Sequence, residues 1–126
     1  MAIASPERQH NLGVRNLAVE NKLFLGSWGS ATQSTSKSTG VTLNTKRGQI
    51  TMNNAALSNG VEVTFTVTNS ECHAGDVPNV CRASGGTANS YLTCVDAVAE
   101  GSFDIIVSNA SGGSLSEAVV INFVII

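Results

Sequence analysis

Charge is scarce in this chain of 126 residues. Lys, Arg, Asp and Glu together make up 13% of it, against about 25% in an average soluble domain. The net charge is −2 and the pI is near 5.5, so the chain lacks the basic field that attracts nucleic-acid phosphates. Ser, Thr and Asn must supply the polar surface, and such a surface is easier to desolvate than one of Lys and Glu. We therefore expect assembly with other subunits and no nucleic-acid partner.

Long apolar runs are also absent. No run approaches the roughly 20 residues that a membrane-spanning helix needs. The first ten residues lack the charged region followed by an apolar core that is typical of a secretory signal. We therefore expect no membrane partner and synthesis in a cytosol.

Histidine and cysteine are few and poorly spaced for chemistry. Three cysteines, Cys72, Cys81 and Cys94, cannot form a complete set of disulfides within one chain, so we expect reduced and mostly buried thiols. His73 lies near Cys72, Asp76 and Cys81, but the spacing matches no usual zinc pattern. A hydrolase triad could be composed from His73, either Asp76 or Asp96, and any of many serines, yet no local signature selects one serine. We expect no metal, no cofactor and no enzymatic activity.

The clearest positive signal is alternation of apolar and polar residues. Val61, Val63, Phe65 and Val67 alternate with polar residues, as expected of a half-buried strand. Further strands are predicted at 77–83, 91–98, 102–109 and 117–126, separated by glycine-containing turns. Residues 41–43 and 50–52 are predicted to form a hairpin around a loop that carries positive charge. About seven short strands predict an all-β fold, an antiparallel β-sandwich or jelly roll, with an N-terminal arm.

The N-terminal arm carries several large apolar residues although it lies outside the predicted domain. We assign residues 1–30 to an N-terminal arm and assembly segment, and 31–126 to the β-sandwich domain. Six apolar residues of the arm are predicted to contact partners: Leu17, Val19, Leu23, Phe24, Leu25 and Trp28. For Trp28 the sequence leaves two alternatives open, an anchor on a partner or packing against its own sheet.

The last predicted strand is apolar on both faces. One face carries Val119, Ile121, Phe123 and Ile125, and the other carries Val120, Val124 and Ile126. Only one face of such a strand can meet the core of a small antiparallel domain. We therefore predict that Val120 and Val124 lie at an interface with another subunit.

Several short segments of the sequence are typical of one protein family. They are SKSTGVTLN at 36–44, GQITM at 48–52, FTVTNS at 65–70, AVAEGSF at 97–103 and LSEAVVINF at 115–123. In this order they resemble a family of small structural proteins of tailed phages. The resemblance runs from Ala31 to Ile126, about three quarters of the chain. The chain departs from the family pattern at its cysteines and near residues 75–79.

The resemblance implies a part of the virion, with no catalytic or cofactor residue. The leading hypothesis is a capsid decoration or cement protein, a homotrimer that binds the major capsid protein and bridges capsomers. It would be made in the cytoplasm of the bacterial host and act on the capsid surface. The alternative is a tail-fibre or receptor-binding module whose Ser, Thr and Asn side chains contact sugars on the host surface.

Overall fold

A computed structural model describes residues 15, 16, 18–21 and 26–126, and it is built from β-strands. The strands are β1 (Trp28–Thr32), β2 (Val41–Thr42), β3 (Arg47–Thr51), β4 (Glu62–Thr68), β5 (Pro78–Ser84), β6 (Tyr91–Ala99), β7 (Ser102–Asn109) and β8 (Val120–Ile125). The described ranges contain no helix long and apolar enough to cross a membrane.

The strands form two sheets of four that pack face to face. One sheet has the order β1-β3-β8-β5 and the other the order β2-β4-β7-β6. Their inner faces enclose a core in which Phe103 and Phe123 meet with ring centroids 5.7 Å apart. Alternation along β8 places Ile121, Phe123 and Ile125 in this core, where each is at most 4% exposed. The predicted all-β sandwich is confirmed.

The predicted hairpin of residues 41–43 and 50–52 is wrong, because β2 and β3 belong to different sheets. β2 pairs with β4 in parallel, and β3 lies between β1, which is parallel to it, and the antiparallel β8. Leu43 occupies the space above two small residues, since a Cβ added to Gly29 would lie 2.8 Å from Leu43 Cδ1. A Cβ on Gly48 would lie 2.3 Å from the Gly29 carbonyl oxygen. Packing of Leu43 on this glycine pair accompanies the crossing from one sheet to the other.

The sandwich begins at β1, within the segment assigned as 1–30. Residues Trp28, Gly29 and Ser30 pair with Arg47, Gly48 and Gln49 of β3. Trp28 is therefore a strand residue of the sandwich itself.

Two buried polar side chains hold the loop between β1 and β2. Gln33 donates from Nε2 to the carbonyl oxygens of Lys37, at 2.8 Å, and Thr39, at 3.0 Å. Lys37 donates from Nζ to the carbonyl oxygens of Asn53 and Glu117. These bonds satisfy backbone groups of three separate segments, so the loop is tied to the sandwich at its base.

Candidate binding face

The outer face of the sheet β1-β3-β8-β5, here called the Trp28 face, gathers side chains from four strands. The face is set by registers in which Gly48, Ile50, Ile121 and Phe123 point inward and their neighbours point outward. Its outward side chains form three rows: Trp28, Arg47, Val124 and Asn79; Ser30, Gln49, Asn122 and Cys81; Thr32, Thr51, Val120 and Ser84. Arg47 is the only charged residue in these rows.

An open depression of about 380 Å³ lies on the first two rows. Trp28, at its edge, is 54% exposed. Gln49 and Asn122 lie directly opposite each other on β3 and β8, the two central strands of the sheet, and both line the depression. In the part of the chain that the structure describes, neither of these two side-chain amides makes a hydrogen bond. Arg47 lies beside Trp28 and donates from Nε to the Gly26 carbonyl oxygen at 3.5 Å.

One end of the Trp28 face is apolar. Val77 and Ile126 pair through their backbones, with N–H to carbonyl distances of 2.8 and 3.2 Å. Their side chains are 59% and 69% exposed. They continue the outward positions of β5 and β8 beyond Asn79 and Val124, so an apolar margin borders the polar depression.

The outer face of the other sheet differs in charge. Its outward positions include Glu62, Asp96 and Asp104, with Asp96 and Asp104 directly opposite each other on β6 and β7. Thr66 donates from its hydroxyl to Asp104 Oδ1 at 2.7 Å. This second face is therefore acidic and rich in threonine, whereas the Trp28 face carries amides, an aromatic ring and one cation.

The structure brings together three of the residues that the sequence predicted as an assembly interface. Trp28, Val120 and Val124 all lie on the Trp28 face, and both valines are partly exposed. Val19 is described and 46% exposed, apart from this face. Leu17, Leu23, Phe24 and Leu25 lie outside the described residues.

The polar members of the face were missed by sequence reasoning. Gln49, Asn79 and Asn122 come from three strands far apart in the chain, and each reads as an ordinary polar position in an alternating strand. The only sign of the site in the sequence lies in β8, where the polar Asn122 stands between the apolar Val120 and Val124 on the outward face.

The expectation of mostly buried thiols is wrong for two of the three cysteines. Cys72 is buried, and burial raises the pKa of its thiol. Cys81 and Cys94 are exposed because they take outward positions on β5 and β6, each an edge strand of its sheet. They lie on opposite faces of the sandwich, and all three cysteines are free.

The histidine region holds a surface hydrogen bond between His73 and Glu100. The ring of His73 hydrogen-bonds through Nδ1 to Glu100 Oε1 at 2.6 Å, and this bond lowers the pKa of Glu100. The backbone N–H of His73 donates to Asp76 Oδ2 at 2.9 Å. Across the described stretches, no cluster of three or more His, Cys, Asp or Glu side chains is arranged to hold a metal ion.

Comparisons of the chain with protein-family models, with curated proteins and with solved structures found no match. The functional argument therefore rests on the residues of the sandwich and on their arrangement.

Proposed function

We propose that the chain is a structural protein of a tailed-phage virion that decorates the head and stabilises it by bridging capsomers. The observation that carries this proposal is that the described residues before β1 are exposed to solvent. Every described residue of that segment, 15, 16, 18–21, 26 and 27, is exposed, so none of them is buried against the sandwich. The same segment is rich in apolar residues in the sequence, which favours a partner outside the chain.

Attachment through the leading segment suits a lattice partner. A segment that becomes ordered on binding loses conformational entropy of roughly 1 to 2 kcal/mol per residue. An extended groove or a strand edge of the major capsid protein can offset this loss through apolar burial and strand pairing. The sandwich, in which Gln33 and Lys37 hold the loop between β1 and β2, would then stand on the capsid surface as a rigid body.

A homotrimer fits the same proposal. The apolar margin places the exposed side chains of Val77 and Ile126 side by side, next to Val124, and supports a contact between subunits. Val120 lies at the other end of the face, among Thr51 and Ser84, and contributes less apolar surface. Three arms that engage together can raise apparent affinity by roughly 10² to 10⁴, although each binds weakly.

The proposal is tested by removing residues 1–27, which leaves β1 intact. The truncated protein and the full chain are mixed with undecorated heads, and bound protein and the thermal stability of the heads are measured. We expect the truncated protein to remain folded, to bind poorly and to leave the heads sensitive to heat. A matched control is the full chain with Glu20→Gln, which changes the charge of the segment but none of its apolar residues.

Full decoration by the truncated protein would contradict attachment through the segment. Failure of the intact protein to bind heads at all would contradict the head location.

A tail-fibre or receptor-binding module is the second candidate. The depression beside Trp28 favours it. An exposed aromatic ring lies there next to amides that make no hydrogen bond among the described residues, and this combination suits contact with sugars on a host surface. Electron microscopy of purified particles separates the two locations, since hundreds of copies are expected on a head and a handful on a tail.

A further inference from the structure

We infer that the depression on the Trp28 face is a binding site for an uncharged oligosaccharide. This inference goes beyond the decoration role, because it concerns a ligand of the exposed sandwich and not its attachment to a capsid. It rests on the amides of Gln49 and Asn122, on the exposed ring of Trp28, and on the charge of the depression.

The amides supply hydrogen bonds of the kind that a sugar can complete. Each side-chain amide offers two N–H donors and a carbonyl oxygen with two lone pairs, held in one plane. Gln49 and Asn122 are directly opposite, and among the described residues neither spends these groups on the protein. A hydroxyl both donates and accepts, so neighbouring hydroxyls of one sugar ring match this pair of amides.

Trp28 supplies the apolar surface that such a ligand also needs. Its indole is a large, rigid ring with little conformational entropy to lose, and it borders the depression with about half of its surface free. The C–H face of a sugar ring can lie on an aromatic ring while its hydroxyls point to the amides. Four strands at about 4.8 Å spacing span about 14 Å, enough for more than one sugar ring.

The position of the amides argues against a protein surface as the occupant. A protein–protein contact has an apolar centre and a polar rim. Here the two central strands, β3 and β8, carry Gln49 and Asn122 beside Arg47 and Val124, so the centre of the depression is mainly polar. An apolar partner would leave the amides buried without hydrogen bonds, which is unfavourable. A hydroxyl-bearing ligand would satisfy them.

The charge of the depression indicates an uncharged ligand. Among the described residues that line the depression there is no carboxylate, and the one cation is Arg47, which donates to the Gly26 carbonyl oxygen. Glu62, Asp96 and Asp104 lie on the outer face of the opposite sheet, so they take no part in the site.

The test uses the full chain in native gels cast with an uncharged polysaccharide: dextran, mannan, galactomannan or a mixed-linkage β-glucan. We expect retardation in at least one gel, relative to a gel without polysaccharide. Because Trp28 is the only tryptophan, its emission reports directly on the site. The polysaccharide that retards the protein should shift this emission to shorter wavelength and protect it from acrylamide quenching.

Three variants locate the site. Trp28→Ala, Gln49→Ala and Asn122→Ala should each lose most of the retardation while remaining folded by circular dichroism. Thr64→Ala, an outward position on the opposite sheet, should be retarded like the wild type. Retardation in none of the four gels overturns the inference, and so does retardation that survives in all three variants of the depression.

A second copy of the chain is the competing occupant. If the Trp28 emission shifts with protein concentration when no polysaccharide is present, the depression is covered by another copy and the inference is overturned. Binding to heads does not enter this readout. The proposed trimer contact at Val77, Ile126 and Val124 reaches the depression at Val124, so the saccharide site requires that this contact leave Trp28, Gln49 and Asn122 open.

Discussion

At the scale of single residues, Ala97 adopts a backbone conformation that its side chain disfavours. Its φ is +50°, in the left-handed region, and it lies where the pairing of β6 with β7 shifts between Asp96 and Ala99. The shift is a β-bulge, in which an extra residue must leave the regular extended conformation. Glycine takes the left-handed region without a steric penalty, whereas an L-residue with a Cβ does not.

We predict that Ala97→Gly stabilises the protein by about 0.5 to 1 kcal/mol. The left-handed conformation costs about 1 to 2 kcal/mol for a residue with a Cβ, and the greater freedom of glycine in the unfolded chain offsets part of this gain. Urea unfolding of both proteins measures the difference. Ala99→Gly, in the same strand with no positive φ, is the control and should destabilise by about 0.5 to 1 kcal/mol. Equal losses in both variants would show that Ala97 is not strained.

At the scale of elements, Glu117 holds the turn between β5 and β6 against the segment that leads into β8. Its carboxylate accepts hydrogen bonds from the Tyr91 hydroxyl at 2.8 Å and from the backbone N–H of Thr87 at 3.0 Å. The bond from Tyr91, followed by the one from Thr87, lowers the pKa of Glu117. Burial, together with the bond to Glu117, raises the pKa of Tyr91 to about 12.

We predict that this contact weakens in acid. A carboxyl with a lowered pKa in the folded state contributes stability above its unfolded pKa, and that contribution is lost as pH falls through the folded pKa. Glu117→Gln should therefore melt at a lower temperature than the wild type at about pH 7. The difference should close toward about pH 3, where the wild-type carboxyl is also neutral.

Glu62→Gln is the control for this pH series. Glu62 is exposed on the acidic outer face and accepts no side-chain hydrogen bond among the described residues, so its loss should change the melting temperature little at any pH. A gap between Glu117→Gln and the wild type that stays constant with pH would contradict a role for the ionised carboxylate.

At the scale of the whole molecule, the proposed trimer depends on the apolar margin of the Trp28 face. Val124→Asp would place a charge beside this margin, and desolvating an unpaired charge in a contact is unfavourable. We predict a loss of about 2 kcal/mol or more in association, roughly a thirtyfold weaker contact. Sedimentation velocity over a range of concentrations measures it.

Leu92→Asp is the matched control for the association measurement. Leu92 is 65% exposed on β6, on the outer face of the other sheet, so the same charge is added away from the proposed contact. This variant should sediment like the wild type. A Val124→Asp protein that associates as strongly as Leu92→Asp would remove the Trp28 face from the subunit contact.

Strands were the part of the fold that local sequence could predict. Residues 61–68 and 102–109 alternate with period two, and the structure has strands at Glu62–Thr68 and Ser102–Asn109. On β8, where both faces are apolar, the prediction that Val120 and Val124 lie outward left Ile121, Phe123 and Ile125 to face the core, as the structure has them. Exposure of Cys81 and Cys94 was not predicted, since a cysteine carries no local sign of the face on which it lies.

The sequence by itself determined that the chain is all-β, which residues of β8 face the core, and that no local motif points to catalysis. The tertiary structure decided which strands pair. β3 joins β8 and not β2, and the contact of Leu43 with Gly29 and Gly48 that accompanies this pairing appears only when distant segments meet. It also decided the candidate site, because Gln49 and Asn122 share a face only through the register of two strands about 70 residues apart. A shift of one residue in that register would turn one amide into the core, and no local pattern records such a pairing.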